Sequence, residues 1–310
     1  MHGLAKEEFP VKIGASDCLF IPTVSERFSK PLNRFERLEQ FAQVGFECVD
    51  MSLGDLESLT MLLQDDWKEQ IWKIGEHAQK LGISVAQVHG RPFSHIIETE
   101  PKNEGQVRLI RERICEATVM LGAKWVVEHP LVCGEGLNKE NEEKVFRFNA
   151  DHMKELTEMA AKYGAGIAME NTWKLPHEGR LINFFGNRIE HHLRVFEAIN
   201  SPDFGLCLDT GHCSAAPEDN CPAEVARAFG HRLKVLHVHD SPGAMDTHYA
   251  PCIGRVDWQA FMKALYEIGF DGAFCLEIHG AVMKLPGHLH TQALTLAKDT
   301  ARWLIDEYYR

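Results

Sequence analysis

Residues 236–248 read LHVHDSPGAMDTH and place His237, His239, Asp240, Asp246 and His248 within one short segment. Imidazoles and carboxylates at such density suit two tasks, holding a divalent cation or moving protons. A chain with 17 histidines also gathers some by chance, so the test is whether ligand-type residues recur at equivalent places. They do. His89 lies in SVAQVHG, His129 in AKWVVEHP, Glu170 in AGIAMENT, Asp209 in FGLCLDTGH, His239 in LKVLHVHD and Glu277 in AFCLEIHG. Each follows a short apolar run. Acids and histidines converging on one axis would repel and desolvate one another without a compensating cation. A divalent metal removes that conflict.

The apolar runs are the elements that must position these residues. Strand-like pieces fall at 11–16, 46–52, 84–90, 123–130, 165–172, 204–212, 233–240 and 273–280, short and rich in β-branched residues. Amphipathic stretches separate them, such as WKEQIWKIGEHAQKLG (67–82) and VRLIRERICEATVMLG (107–122). The first helix, NRFERLEQFAQVG (33–45), stops at Gly45, and later ones stop at Gly82, Gly122, Gly164 and Gly269. Asp257 is a good N-cap for the helix that follows it. Successive βα units of this kind predict an α/β fold, a (β/α)8 TIM barrel forming a single domain over residues 1–310. An open doubly wound sheet would carry a phosphate-binding glycine loop after its first strand, and ASDCLFIP is not one.

In such a barrel the active site lies where strands end and βα loops begin. His89, His129, Glu170, Asp209, His239 and Glu277 stand at those ends on the third to the eighth strands. Side chains alternate along a strand, so Val127, Ala168, Cys207, His237 and Cys275, each two residues earlier, share the inward face one layer deeper. His237 is therefore expected as a core or supporting residue. Asp240 should face the other way and is assigned no role.

The bulk numbers exclude several classes. A net charge of −12 gives no basic footprint for nucleic acid or an anionic membrane. Nine cysteines without a C-x-x-C argue against a disulfide framework or thiolate zinc site and favour a reducing compartment. The N-terminus lacks a signal-peptide core and no run is long enough to span a bilayer. A cytoplasmic enzyme is expected.

Glu170 in AMENTW, Asp209 and His212 in LDTGH, His239 in HVHD and Glu277 in LEIHG resemble the xylose isomerase-like superfamily, within it the sugar (phosphate) isomerase/epimerase branch. The segment DTHYAPCIGRVDW (246–258) is similar to that branch's glycine-containing loop. It departs at Cys252, where many relatives carry glycine, and Met245 stands where some epimerases place an arginine. The resemblance implies one divalent metal per chain, held by Glu170, Asp209, His239 and Glu277. Three carboxylates and an imidazole suit Mn2+, with Zn2+, Mg2+ or Co2+ as alternatives. It further implies that Glu170 and Glu277 are the catalytic acid/base pair, exchanging a proton through a metal-stabilised enediolate of a small carbohydrate. His212 would hold a substrate oxygen, and a homo-oligomer is common in the family.

Endonuclease IV, a zinc phosphodiesterase of the same superfamily that acts on abasic DNA, is the competing reading. His89, His129, Glu170, Asp209, His212, His239, Asp246, His248 and Glu277 match its ligand pattern in chain order. The loop GRPFSH after His89 lacks its longer DNA wedge, and SDCLFIPTVSERF shows no basic cluster for phosphates. Sugar chemistry is favoured. A lyase or dehydratase acting on a sugar or inositol would use the same enolate chemistry, whereas a non-catalytic binding barrel would not need intact Glu170 and Glu277. Asp50, Trp173 and His279 are expected to contact substrate, through a carboxylate, an aromatic face and an imidazole. Arg91, Lys174, Arg180, Arg255 and Lys284 lie in loops that could meet a phosphate.

Overall fold

In the computed structural model, residues 11–20, 32–90, 105–177, 180–215, 221–243 and 245–309 are described. The strands are β1 (Ile13–Ser16), β2 (Cys48–Ser52), β3 (Ser84–His89), β4 (Trp125–Glu128), β5 (Gly166–Glu170), β6 (Lys174–His177), β7 (Arg180–Asn183), β8 (Phe204–Asp209), β9 (Leu233–His237) and β10 (Phe274–Leu276). The helices are α1 (Arg34–Val44), α2 (Leu56–Leu62), α3 (Trp67–Lys80), α4 (Gly105–Met120), α5 (Glu142–Ala161), α6 (Ile189–Ile199), α7 (Thr210–Ala215), α8 (Pro222–Phe229), α9 (Trp258–Glu267), α10 (His279–Val282) and α11 (His290–Tyr308).

Eight strands pair in parallel in the order β10-β1-β2-β3-β4-β5-β8-β9. The ring closes where Val238 N donates to Cys275 O at 2.8 Å and Glu277 N donates to Val238 O at 3.0 Å. This is the (β/α)8 barrel the sequence predicts. Its eight strands coincide with the eight apolar runs, trimmed at their ends. The antiparallel β6–β7 hairpin is an addition to the fifth βα loop that periodicity did not disclose. Among the described residues, no helix is long and apolar enough to cross a membrane.

Local chemistry explains the helix bounds. Asn33 accepts from Glu36 N at 3.1 Å while the Glu36 carboxylate accepts from Asn33 N at 2.8 Å, a reciprocal cap that starts α1. Gly45, at φ 84°, ends it. Asp257 accepts from Ala260 N at 3.0 Å and starts α9. The main core lies between the strands and the helix ring. Inside the barrel, Val127, Ala168, Cys207 and Val235 form a small apolar plug with Trp125 beside it. The metal-type residues sit above that plug.

A loop residue, Cys252, and a helix residue, His192, carry backbone strain and a shifted titration. Cys252 adopts φ 71°, in the left-handed region that favours glycine. A side chain in that region costs about 1–2 kcal/mol, partly offset by the extra unfolded-state freedom of glycine. Because Cys252 is exposed, Cys252→Gly is expected to raise stability by up to about 1 kcal/mol, read as a higher urea midpoint at unchanged m-value. His192, buried in α6, donates from Nε2 to Gly186 O at 2.9 Å. Burial pushes its pKa down from 6.5 to about 4 despite that bond. The folded chain thus binds fewer protons here than the unfolded chain between those values. Stability from this group is complete above pH ~6.5 and declines as pH falls toward 4, by up to about 3 kcal/mol. Urea midpoints at pH 7 and 4.5, in wild type and His192→Gln, test this: the variant should lose part of the acid sensitivity.

Candidate metal centre

The strand ends deliver their acids and imidazoles to one space. His129 Nε2 lies 2.7 Å and His89 Nε2 3.8 Å from Glu170 Oε2. On the other Glu170 oxygen, Oε1, His237 Nδ1 approaches to 3.0 Å and His212 Nδ1 to 3.6 Å. His237 Nδ1 is also 3.2 Å from Glu277 Oε2. A neighbouring group forms around Asp209 and Asp246. His239 Nε2 is 2.9 Å from Asp209 Oδ1 and 3.7 Å from Asp246 Oδ1. Asp246 Oδ2 meets His248 Nε2 at 3.0 Å and His212 Nε2 at 3.5 Å.

Glu170 and Glu277 are therefore brought together, but through His237. The register explains this. Parallel pairing sets Asp209 opposite His237, so β9 ends at the level of the acids with His237, and His239 rises one layer above it. The two histidines share an inward face, and spacing alone cannot say which one meets the glutamates. Asp50, expected at the pocket surface, is instead fully buried with Oδ2 2.9 Å from His237 Nε2. That carboxylate fixes the ring and leaves Nδ1 aimed at Glu170 and Glu277, the arrangement that supports a metal-ligating imidazole.

His248 takes φ 48°; its Nδ1 donates to Glu277 O at 2.9 Å, and its ring stacks on His239 at 3.9 Å and on His279 at 3.7 Å. Trp173 lies over His212 at 4.5 Å, at the rim. The loop holding Asp246 and His248 is anchored by Asp240, to which the sequence assigned no role. Buried Asp240 accepts from Ser241, Arg255 and Val256 N–H groups and from Trp258 Nε1 at 3.0 Å. Arg91 lies outside the described residues, as does the side chain of Arg180. Arg255 is exposed, Lys174 is half-buried, and Lys284 Nζ lies 5.5 Å over the Tyr249 ring.

Burial opposes ionisation of Glu170, yet His129 and His237 hold its carboxyl well below the usual range. Burial likewise opposes ionisation of Glu277, and His237 and His248 bring it down to about 2. His248 is lifted to about 9 by Asp246 and Glu277 against its burial. The neighbouring imidazoles thus favour the ionised form of both carboxylates.

The donor set fits a divalent metal. Buried Asp209 Oδ2, Glu170 Oε2, Asp246 Oδ1 and both His239 nitrogens lack a well-directed hydrogen bond, and such atoms are costly unless something else satisfies them. The ligand atoms of His89, His129 and Glu170 lie within 4.8 Å of one another, as do those of His212, His239, Asp246 and His248. Gly211 makes room for the second group, since a Cβ there would fall 1.8 Å from His239 Cε1. Gly211→Ala is expected to push His239 aside and weaken Mn2+ affinity by about 10–100-fold in calorimetric titration. Unchanged affinity would remove His239 from the centre.

Residues 38–307 match a family whose description is xylose isomerase-like TIM barrel. The chain belongs to this family. Within curated sequences it is similar to the inosose isomerase of Bacillus subtilis (strain 168), 27% identical over 201 residues, covering 63% of this chain and 67% of that one. The chain spans about half the length of other curated relatives it matches. Among solved structures it resembles D-psicose 3-epimerase with D-tagatose from Clostridium cellulolyticum H10 (TM-score 0.72, 15% identity, covering 95% of this chain and 99% of that one). It also resembles the IOLI protein with a binding zinc atom (TM-score 0.71, 21% identity, 96% and 99% coverage). At these identities the structural likeness speaks to the xylose isomerase-like fold.

Proposed function

We propose that this xylose isomerase-like barrel is a cytoplasmic, divalent-metal-dependent isomerase or epimerase of a sugar or sugar-like polyol. The observation that carries the reading is the meeting of Glu170 and Glu277, two buried carboxylates, on one imidazole whose far side is braced by Asp50. The similarity to an inosose isomerase and to a ketose epimerase supports it. Glu170, Asp209 and Glu277 would hold the cation, with His237 as the imidazole nearest both glutamates and His239 beside Asp209. One Mn2+ per chain suits this oxygen-rich set, with Co2+, Mg2+ or Zn2+ as substitutes. When bound, such a cation polarises a carbonyl and stabilises the enediolate charge left when the adjacent carbon loses its proton.

The chain's own residues carry the proton. One ionised glutamate would remove it from the carbon beside the carbonyl, and the other, having taken up a proton from solvent with the substrate, would return one, so that the substrate is epimerised or isomerised; the proton left on the first then returns to solvent. His212 and His279 would hold hydroxyls, and Trp173 would offer its ring to a sugar face. Asp50 orients His237. The test is a screen of ketoses and inososes with the chelator-treated, Mn2+-reloaded protein. Turnover restored by Mn2+ supports the reading.

A second reading, an endonuclease IV-like phosphodiesterase, is favoured by one specific observation: the two further ligand groups, around His129 and around His248. Inertness toward the sugars combined with cleavage of abasic-site DNA by a protein holding two or three zinc ions would replace the first reading with this one. Elimination of water from an inosose or sugar acid in the same screen would assign a lyase.

A further inference from the structure

The two oxygens of Glu277 face different neighbours. Oε2 is turned to His237 at 3.2 Å and His248 at 3.9 Å. Oε1 is 3.6 Å from Cys18 Sγ, which itself lies 4.0 Å from His279 Nδ1. The barrel sets up this corner because β1 pairs with β10, Ala15 opposite Leu276, so the residues just past each strand end are adjacent. Sulfur, imidazole nitrogen and carboxylate oxygen lie within 4.8 Å of one another, with Cys18 and His279 half-buried and Glu277 buried. The proposed proton transfer does not use the sulfur.

We propose that Cys18, Glu277 and His279 form a second cation site, selective for thiophilic divalent ions such as Zn2+, Co2+ or Cd2+. A thiolate, an imidazole and a carboxylate are the borderline-soft set that favours these ions over Mn2+ or Mg2+, and three protein ligands leave a position for water. Coordination displaces the Cys18 thiol proton to solvent, and the thiolate and carboxylate then balance the ion's charge. A second cysteine-containing group, Glu170, Cys207 and His237, is a weaker candidate. Cys207 is fully buried inside the barrel plug, and His237 is already engaged with both glutamates. Cys18, by contrast, is only half-buried. Occupation of this corner draws on the carboxylate that the proposed function uses for proton transfer, so excess zinc should inhibit the Mn2+-loaded protein. That consequence rests on the proposed function, but the binding itself does not.

The experiment is a Co2+ titration of chelator-stripped protein preloaded with one equivalent of Mn2+. Wild type should develop the near-ultraviolet sulfur-to-cobalt charge-transfer band, and Cys18→Ser should lack it while retaining bound Mn2+. Absence of the band in wild type, or its persistence in Cys18→Ser, overturns the site. As a measurement needing no variant, saturating Cd2+ should slow alkylation of Cys18 in wild type about tenfold, as mass action requires at ten times Kd. Equal alkylation with and without Cd2+ also overturns it. Failure of Mn2+ to bind would count against the oxygen-rich centre and leave the cobalt–thiolate result standing.

Discussion

Replacing Glu170 with glutamine is expected to lower kcat on the true substrate by about 10⁴-fold or more while the barrel stays folded. A positioned acid or base contributes about 10²–10⁴-fold, and this residue is also a proposed cation ligand. Glutamine keeps the volume and one acceptor oxygen, so the buried space between His129 and His237 stays filled. Those imidazoles can give up their protons once the carboxylate is gone, which spares the fold an unpaired buried charge. Glu277→Gln should behave alike. Alanine at either position should also abolish turnover. Activity of the Mn2+-reloaded variants, measured beside far-ultraviolet circular dichroism and melting, checks this. Near-normal kcat in either variant would break the proposed acid/base pair.

Arg34→Ala is expected to be the most damaging change to stability, costing about 3–5 kcal/mol. Arg34 is only 2% exposed, and its guanidinium meets Asp17 at 3.0 Å and Asp55 at 3.1 Å. It also donates to Ser52 O and Ser58 Oγ, both at 2.7 Å. Removing it leaves two buried carboxylates facing Arg37 alone, at 3.7 and 3.3 Å. Burial already pushes the Asp17 carboxyl up despite both arginines, and Asp17 accepts from Ser52 N at 2.7 Å, so the break runs into the end of β2. Melting should fall by roughly 5–8 °C for a chain of this length. Lysine should not rescue it, because a single ammonium cannot reach acceptors arranged for a planar fork. A shift below about 2 °C would show that the cluster is not a structural tie.

The barrel was legible because strand and helix periodicities are local, and each apolar run ends in a polar residue that only a strand end can place. Glu170, Asp209 and Glu277 followed from the same logic. What the sequence could not show depends on register and depth. His237 and His239 share a face, and the sequence already sets His237 one layer deeper, but only the pairing of Asp209 with His237 shows that this deeper layer is the one that meets the glutamates. Asp50 looked like a pocket carboxylate because strand position does not reveal that an imidazole covers it. Asp240's role as loop anchor comes from N–H groups up to 18 residues onward. Nothing in the sequence marks Arg34 and Arg37 of α1 as buried. Their burial depends on Asp17 and Asp55, which come from separate βα loops.

The most direct test of the account is solvent exchange. Mn2+-loaded protein would be mixed with inososes and ketoses in deuterium oxide, and the proton beside the carbonyl followed by nuclear magnetic resonance. The account predicts that one substrate loses this signal as it turns over, that a chelator stops the loss, and that in Glu170→Gln and Glu277→Gln the signal is retained. Turnover without any deuterium uptake, or exchange undiminished in both variants, would contradict proton transfer by this pair of glutamates.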